Sequence, residues 1–186
     1  MRRFRLLMHI SSGWLLLLIS LSVYSGLAHA RGSVEKTGDV LQALIPATGL
    51  AAAVFYEEGN EGTIQFLKSL ATSKVITETL KENIDKTRPD GNCCRSFPSD
   101  NAANAFLGAG FIHKRYGWEY AVPAYIGATF VGYSRVQADK HYVEDVIAGA
   151  AIGWLSSIYF TTSYKGYELS PAASNGVYGF NINRRW

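Results

Sequence analysis

The chain has 186 residues, enough for one domain with a buried core, and its 18% charged and 48% hydrophobic residues exclude a disordered protein. Its formal net charge of +3 is explained by three arginines in the first thirty residues, which contain no Asp or Glu. The rest of the chain is formally neutral, so charge gives no support for nucleic-acid binding, and no nucleic-acid partner is expected.

The first thirty residues have the pattern of a secretory signal. A basic start is followed by an apolar run at residues 14–23, which is short for a membrane span, and by the small-x-small site Ala28-His29-Ala30. We therefore expect a signal peptide over residues 1–30 and an exported, periplasmic chain that begins near Arg31. An uncleaved signal anchor is the alternative.

Five later segments have the apolar spacing or length of helices. They cover residues 40–56, with Pro46 as a kink, and residues 63–84, 101–114, 120–133 and 142–162. In the second helix we expect a buried apolar face, formed by Ile64, Leu67, Leu70, Val75 and Leu80. Residues 87–98 are expected to form a loop. The sequence thus predicts an all-α domain over residues 31–165, followed by a C-terminal tail at 166–186 that is irregular or forms a short strand or hairpin.

The longest apolar helix is a candidate for a membrane-spanning segment. Residues 146–164 are uncharged, which is nearly enough to span a bilayer, but this run is rich in small residues and the other apolar runs are shorter. This pattern favours a folded domain on the outer side of the inner membrane, in contact with the membrane surface, over a protein with several spans.

Lys81 and Arg88 form the first of three polar clusters. They lie two helical turns apart, so one helix face can present both cations to a phosphate dianion. By itself such a pair is usually part of a solvated face.

The second cluster, Ser99-Asp100-Asn101, lies where a loop enters a helix. Backbone N–H groups at a helix start favour an anion, and the Ser99 hydroxyl can add a donor. An ordinary N-cap explains the same residues.

The third cluster contains His141 and Asp145, which can meet on one helix face, and Arg135 as a third cation for phosphate. A carboxylate bonded to one ring nitrogen of a histidine fixes the tautomer and makes the other nitrogen a better nucleophile. Taken alone, a His–Asp pair is more often structural than catalytic.

Together the clusters read Lys-x6-Arg-Pro, Pro-Ser and Ser-Arg-x5-His-x3-Asp between residues 81 and 145. This order resembles the signature of the type-2 phosphatidic acid phosphatase (PAP2) and vanadium haloperoxidase superfamily. The resemblance implies a PAP2-like helical bundle with a phosphate site at one end, and a reaction that needs no metal or other cofactor, although phosphate or vanadate can occupy the site. It also implies the roles of the residues: His141 forms a phosphohistidine, Asp145 holds its other nitrogen, and Lys81, Arg88, Ser99 and Arg135 bind the phosphate.

The second motif departs from the family, which has Gly and His where this chain has Asp100 and Asn101. Asp100 places a carboxylate beside a dianion, which is repulsive unless the carboxylate is protonated or turned away. Asn101 cannot protonate a leaving group as the family histidine does. His113 lies more than three helical turns beyond Asn101, in a segment that reads as a solvated helix end, so we do not expect it to substitute.

The resulting hypothesis is a phosphatase that hydrolyses a phosphomonoester or diphosphate, on a membrane-lipid phosphate or a small phosphate ester. The alternative is a weakly active or inactive PAP2-like protein that binds phosphorylated ligands, because the acid histidine is replaced. A vanadate-dependent haloperoxidase is a remote third hypothesis. For the adjacent Cys93 and Cys94, two free thiols in a loop are favoured over an intermolecular bridge.

Overall fold

The computed structural model describes residues 32–164, 167–174 and 177–184. It contains five α-helices in this part of the chain. Their bounds are α1 Gly32–Phe55, α2 Glu61–Asn83, α3 Asp100–Tyr116, α4 Trp118–Gln137 and α5 Val143–Phe160. The predicted all-α bundle is confirmed. The predicted signal peptide lies outside the described residues, and the proposed domain boundaries stay predictions.

The first helix differs from its predicted bounds. It begins at Gly32 rather than near residue 40 and continues through Pro46 to Phe55. The charged residues Glu35, Lys36 and Asp39 therefore belong to this helix, although their polarity had argued for a segment before it.

The C-terminal tail contains an antiparallel hairpin of β1 Tyr167–Ser174 and β2 Val177–Arg184. Tyr167 pairs with Arg184 at its open end, and Ser174 pairs with Val177 next to the turn. The tail is thus the hairpin that the sequence offered as one possibility.

Helix α3 is the centre of the bundle and contacts α2, α4 and α5. It is rich in Ala and Gly, and its side chains from Leu107 to Phe111 are almost entirely buried. The core forms two clusters around this helix, one with α1 and α4 through Ile45 and Val131, and one with α1 and α2 through Ala53 and Phe66. A central helix of small residues lets its neighbours approach closely.

The contact between α3 and α5 depends on glycines at helix spacing in α5. A Cβ added at Gly149 would lie 2.2 Å from the Ser99 carbonyl oxygen, and one added at Gly153 would lie 1.9 Å from the Ala103 carbonyl oxygen. The backbones are therefore in direct contact, which holds the start of α3 against the first turns of α5. The start of α3 and the start of α5 both carry residues of the predicted site.

The predicted buried face of α2 was wrong for three of its five residues, whereas Leu70 packs against the core and Leu80 is half-buried. Ile64, Leu67 and Val75 are exposed, while the inward face consists of Phe66, small polar residues and Lys81. The inward hydroxyls of Ser69 and Thr77 donate to backbone carbonyls of their own helix, at 2.8 and 2.9 Å, so their burial leaves no donor unpaired.

Exposed apolar side chains recur on the other outer helices, for example Leu44 of α1, Ile126 of α4 and Leu155 of α5. Two helices, Gly32–Phe55 and Val143–Phe160, are long and apolar enough to cross a membrane, and only 22% and 28% of their apolar windows are buried. Exposed apolar surface of this extent is the surface of a membrane-associated protein.

Candidate active site

One end of the bundle collects all the predicted site residues, because α2 and α4 end there while α1, α3 and α5 begin there. Lys81 comes from the last turn of α2, and Arg88 from the following loop. Ser99 caps α3, Arg135 lies in the last turn of α4, and the turn before α5 supplies His141. Residues more than sixty positions apart in the sequence are thereby placed around one region.

The His141 ring is buried, and its Nδ1 atom lies 2.7 Å from the backbone carbonyl oxygen of Ser96. A carbonyl can only accept, so Nδ1 must carry the proton and donate it. The lone pair is then on Nε2. The backbone thus fixes the tautomer that a nucleophilic histidine needs.

The environment also keeps this ring neutral. The pKa of His141 is lowered to about 4, chiefly by burial and also by the charges of Lys81 and Arg88, which together outweigh the opposing effects of the Ser96 carbonyl and Asp145. At neutral pH the Nε2 lone pair is therefore free to attack an electrophile.

Asp145 is completely buried, and its contacts differ from the predicted one. Its Oδ2 atom lies 3.9 Å from His141 Nδ1, beyond hydrogen-bond distance. The carboxylate instead accepts from the Ser96 hydroxyl at 2.6 Å, from Lys86 Nζ at 2.6 Å and from the Tyr142 backbone N–H at 3.0 Å. Asp145 therefore holds Ser96, and the Ser96 carbonyl holds the histidine.

Sequence reasoning missed Lys86 and Ser96 as members of this site. Burial lowers the pKa of Lys86, but its hydrogen bonds to Asp145 and Glu144 outweigh burial, so the pKa is raised and the side chain stays charged. The sequence did hold a signal for Lys86, because it lies between Lys81 and Arg88. A third cation there, beyond the two assigned to phosphate, pointed to a carboxylate partner. Nothing in the sequence distinguished Ser96 from an ordinary loop serine.

Lys81 and Arg88 are the cations whose charges act on the His141 ring. The Lys81 side chain is buried, and its Nζ atom donates to the Arg95 carbonyl at 3.0 Å and pairs with Asp100 Oδ2 at 3.2 Å. Arg88 Nε is buried and has no hydrogen-bond partner among the described residues. A buried donor without a partner is costly unless a ligand fills it, and an anion is the ligand that suits a guanidinium.

Arg135 is buried at the α1–α4 contact. Its Nη1 atom donates to Asp39 Oδ1 at 2.7 Å, its Nη2 atom to the Glu35 carbonyl at 2.8 Å and its Nε atom to the Ser134 hydroxyl at 3.2 Å. A guanidinium has five N–H donors, so two remain for phosphate.

The residues of the divergent second motif lie at the start of α3. The Ser99 hydroxyl accepts from the Ala102 backbone N–H at 3.5 Å, as an N-cap does. Asp100 is turned toward Lys81 and lies 3.9 Å from Lys74 Nζ, so these cations offset the charge that we expected to repel phosphate. Asn101 Nδ2 donates to Asp39 Oδ1 at 3.4 Å.

His113 lies near the opposite end of the bundle. Its ring stacks on Trp118 at 4.3 Å between centroids, and its Nδ1 atom is 3.1 Å from the Tyr125 hydroxyl. It is therefore part of an aromatic cluster rather than a solvated helix end, and it cannot take the place of the family's acid histidine.

The loop that precedes Ser96 contains both cysteines. The structure joins the Cys93 and Cys94 sulfurs as a disulfide between neighbours, where the sequence favoured free thiols. Asp85 lies close enough to both sulfurs to share a metal ion with them, but bonded sulfurs are not thiolate ligands.

Comparison with known proteins identifies the relatives of this chain. The family model of the PAP2 superfamily matches residues 90–167. The chain is 31% identical to the lipid A 4'-phosphatase of Helicobacter pylori over 171 residues, which cover 82% of this chain and 85% of that protein.

Two solved structures are similar in fold. The crystal structure of Aquifex aeolicus LpxE has a TM-score of 0.60 at 22% identity and covers 70% of this chain and 84% of its own. The crystal structure of a transmembrane PAP2-type phosphatidylglycerolphosphate phosphatase from Bacillus subtilis has a TM-score of 0.55 at 28% identity and covers 71% of this chain and 73% of its own.

Proposed function

We propose, since this chain belongs to the PAP2 superfamily and to its lipid-phosphatase branch, that it removes phosphate from a membrane lipid through a phosphohistidine on His141. The observation that carries the proposal is the His141 ring. Its proton is held on Nδ1 by the Ser96 carbonyl, and its Nε2 lone pair is available at neutral pH beside two cations.

In the first step Nε2 attacks phosphorus in line with the leaving oxygen. The P–N bond forms, the P–O bond breaks, and the bonding electrons go to the leaving oxygen. Lys81, Arg88 and the free N–H groups of Arg135 stabilise the non-bridging oxygens. The ring gains positive charge, which the Ser96 carbonyl at 2.7 Å and the Asp145 carboxylate at 3.9 Å stabilise.

In the second step water attacks the same phosphorus, the P–N bond breaks, and phosphate leaves. No metal or other cofactor is needed for either step, and vanadate, which resembles the transition state, would compete for the site.

The substrate class follows from the leaving group. Asn101 cannot protonate the alkoxide that leaves from a lipid monophosphate. Cleavage of a lipid diphosphate instead expels a phosphate oxygen, which needs less protonation. The chain would therefore act on lipid diphosphates more readily than on lipid monophosphates. Its relatives are named for lipid A and phosphatidylglycerolphosphate, both phosphorylated lipids.

The location proposed for the reaction is the outer face of the inner membrane. The exposed apolar helices support a position of the bundle at the lipid, with the polar site at one end. The secretory pattern of residues 1–30 is the support for export.

A ligand-binding protein with little turnover is the second candidate, because Asp100 already pairs with Lys81 and Asn101 replaces the acid. Phosphate release in detergent micelles separates the two, using dioleoyl phosphatidic acid as monophosphate and farnesyl diphosphate as diphosphate. We expect release from the diphosphate, a loss of about 10³-fold or more in His141→Ala, and faster monophosphate hydrolysis in Asn101→His.

Two results would contradict the phosphatase. One is a wild-type protein inactive on both lipids while Asn101→His is active, which would make the natural chain a binding protein. The other is activity that survives in His141→Ala, which would remove the phosphohistidine.

A further inference from the structure

Asp39 lies beside the position where the chain lacks a proton-transfer group. Its Oδ1 atom accepts from Asn101 Nδ2 at 3.4 Å and from Arg135 Nη1 at 2.7 Å. Asn101 occupies the place of the family's histidine and cannot transfer a proton. The carboxylate next to it can.

The position of Asp39 is set by backbone packing rather than by a loose surface contact. A Cβ added at the preceding Gly38 would lie 1.9 Å from the Ser134 hydroxyl and 3.0 Å from Arg135 Nη2. The Glu35 carbonyl, one turn earlier, accepts from Arg135 Nη2 at 2.8 Å. These contacts hold the first turns of α1 against the end of α4.

Access to water distinguishes Asp39 from Asp145, the carboxylate beside the histidine. The Asp145 side chain is fully buried with hydrogen bonds on both oxygens, whereas the Asp39 side chain is half exposed, and no described residue donates to its Oδ2 atom. A phosphate bound by the remaining N–H groups of Arg135 would share this guanidinium with Asp39, and a bridging water would connect the phosphate with the carboxylate.

We propose that Asp39 is the general base of the second step. This inference rests on the phosphatase proposed above and adds a residue from a helix outside the three motifs. Asp39 accepts a proton from the attacking water while the water oxygen bonds to phosphorus. The P–N bond breaks, its electron pair returns to His141 Nε2, and Asp39 passes the proton to solvent.

A carboxylate paired with a guanidinium is suited to this step and not to the first. Asp39 accepts hydrogen bonds from two N–H groups, so its carboxylate is placed to take a proton from water rather than to give one to a leaving group. The chain would therefore combine an assisted second step with an unassisted first step, in agreement with the preference for diphosphates.

The test uses p-nitrophenyl phosphate in rapid-mixing kinetics with the full-length protein in detergent. Nitrophenolate reports the first step, and phosphate reports the second. Asp39→Asn keeps an oxygen that accepts from Arg135 but removes the base. We expect kcat to fall by about 10²- to 10⁴-fold, KM to fall with it, and a nitrophenolate burst to approach one per protein as phosphohistidine accumulates.

Three further variants make the result specific. Asp39→Glu keeps a carboxylate and should restore most of the second step. Glu82→Gln removes an exposed carboxylate one residue after Lys81 and should behave as wild type. A double variant of Asp39→Asn and His141→Ala should show no burst, because no phosphohistidine can form.

The failures of the two proposals are distinguishable. If the wild type turns over and needs His141, but Asp39→Asn keeps its kcat, or loses activity with a raised KM and no burst, Asp39 is at most a positioning residue for Arg135 and the inference is overturned. An inactive wild type, or one indifferent to His141→Ala, overturns the phosphatase itself and this inference with it.

Discussion

His141 shows how a single residue can be prepared for nucleophilic attack without a carboxylate in direct contact. The proton on Nδ1 is held by a backbone carbonyl, and the carboxylate of Asp145 acts one residue further away by holding Ser96. A backbone carbonyl carries no net charge, so it orients the ring while raising its basicity less than a bonded carboxylate would. The buried ring consequently stays neutral beside the positive charges of Lys81 and Arg88.

This arrangement predicts an unusual pH dependence. Because the pKa of His141 is lowered to about 4, its deprotonated form predominates above that value, and the acid limb of kcat/KM should lie near pH 4 rather than near 6.5. Arg88→Gln removes one of the charges that lower this pKa, so the limb should move to higher pH. The measurement is a pH–rate profile of both proteins, with an NMR titration of the ring; a limb that stays in place in the variant would contradict the assigned cause.

The same shift has a consequence for stability. The unfolded chain, with the ordinary histidine pKa of 6.5, binds this proton more tightly than the folded protein does. The contribution of His141 to stability is therefore present above pH 6.5 and is lost as the pH falls from 6.5 toward 4.

At the scale of elements, the contact of α3 with α5 determines the geometry of the site. The carbonyl of Ser99 lies against Gly149, and the backbone N–H of Ser99 donates to the Asp145 carbonyl at 2.9 Å. A change in the distance between these helices would move the phosphate-facing start of α3 relative to the turn that carries His141.

A methyl group at Gly153 tests this contact. In Gly153→Ala the new Cβ meets the Ala103 carbonyl, a backbone atom that cannot rotate away, so we expect a loss of about 1–3 kcal/mol in unfolding free energy and reduced activity. Gly127→Ala is the matched control, because its Cβ meets the flexible end of Ile45 at 3.0 Å and the substitution favours a helix. Thermal unfolding of both variants in detergent decides, and equal stability of the two would show that the helices do not depend on this close approach.

At the scale of the whole molecule, the distribution of polarity is that of a membrane protein. The described outer helices expose large apolar side chains, while buried polar residues occur at the site, on the inner face of α2 and around the Arg115–Glu57 ion pair. Water favours the opposite distribution, and lipid favours this one.

Leu155→Lys places a charge on the exposed apolar face near the middle of α5. If this face contacts acyl chains, the charge should cost about 2–3 kcal/mol and reduce the fraction of protein recovered in washed membranes. Thr79→Lys, at an exposed position near the site end of α2, should leave that fraction unchanged. Equal recovery of both variants, or recovery of the wild type in the soluble fraction without detergent, would contradict contact with lipid.

The sequence by itself determined the helices, the three motifs and the family, because these depend on residues close together in the chain. The spacing of Lys81 from Arg88 and of His141 from Asp145 can be read directly, since a helix repeats every few residues. It did not determine which way α2 faces, because the inward face of this helix consists mainly of small polar residues, which the apolar periodicity does not mark.

Only the tertiary structure decided which groups contact the site residues. The Ser96 carbonyl reaches His141 across 45 positions of sequence, and Asp39 reaches Arg135 across 96. Such contacts depend on how closely helices pack, and here that is set by glycines whose neighbours in space cannot be read from the sequence. The histidine was evident from its motif, whereas its hydrogen-bond partner and the carboxylate beside Asn101 emerged only from the fold.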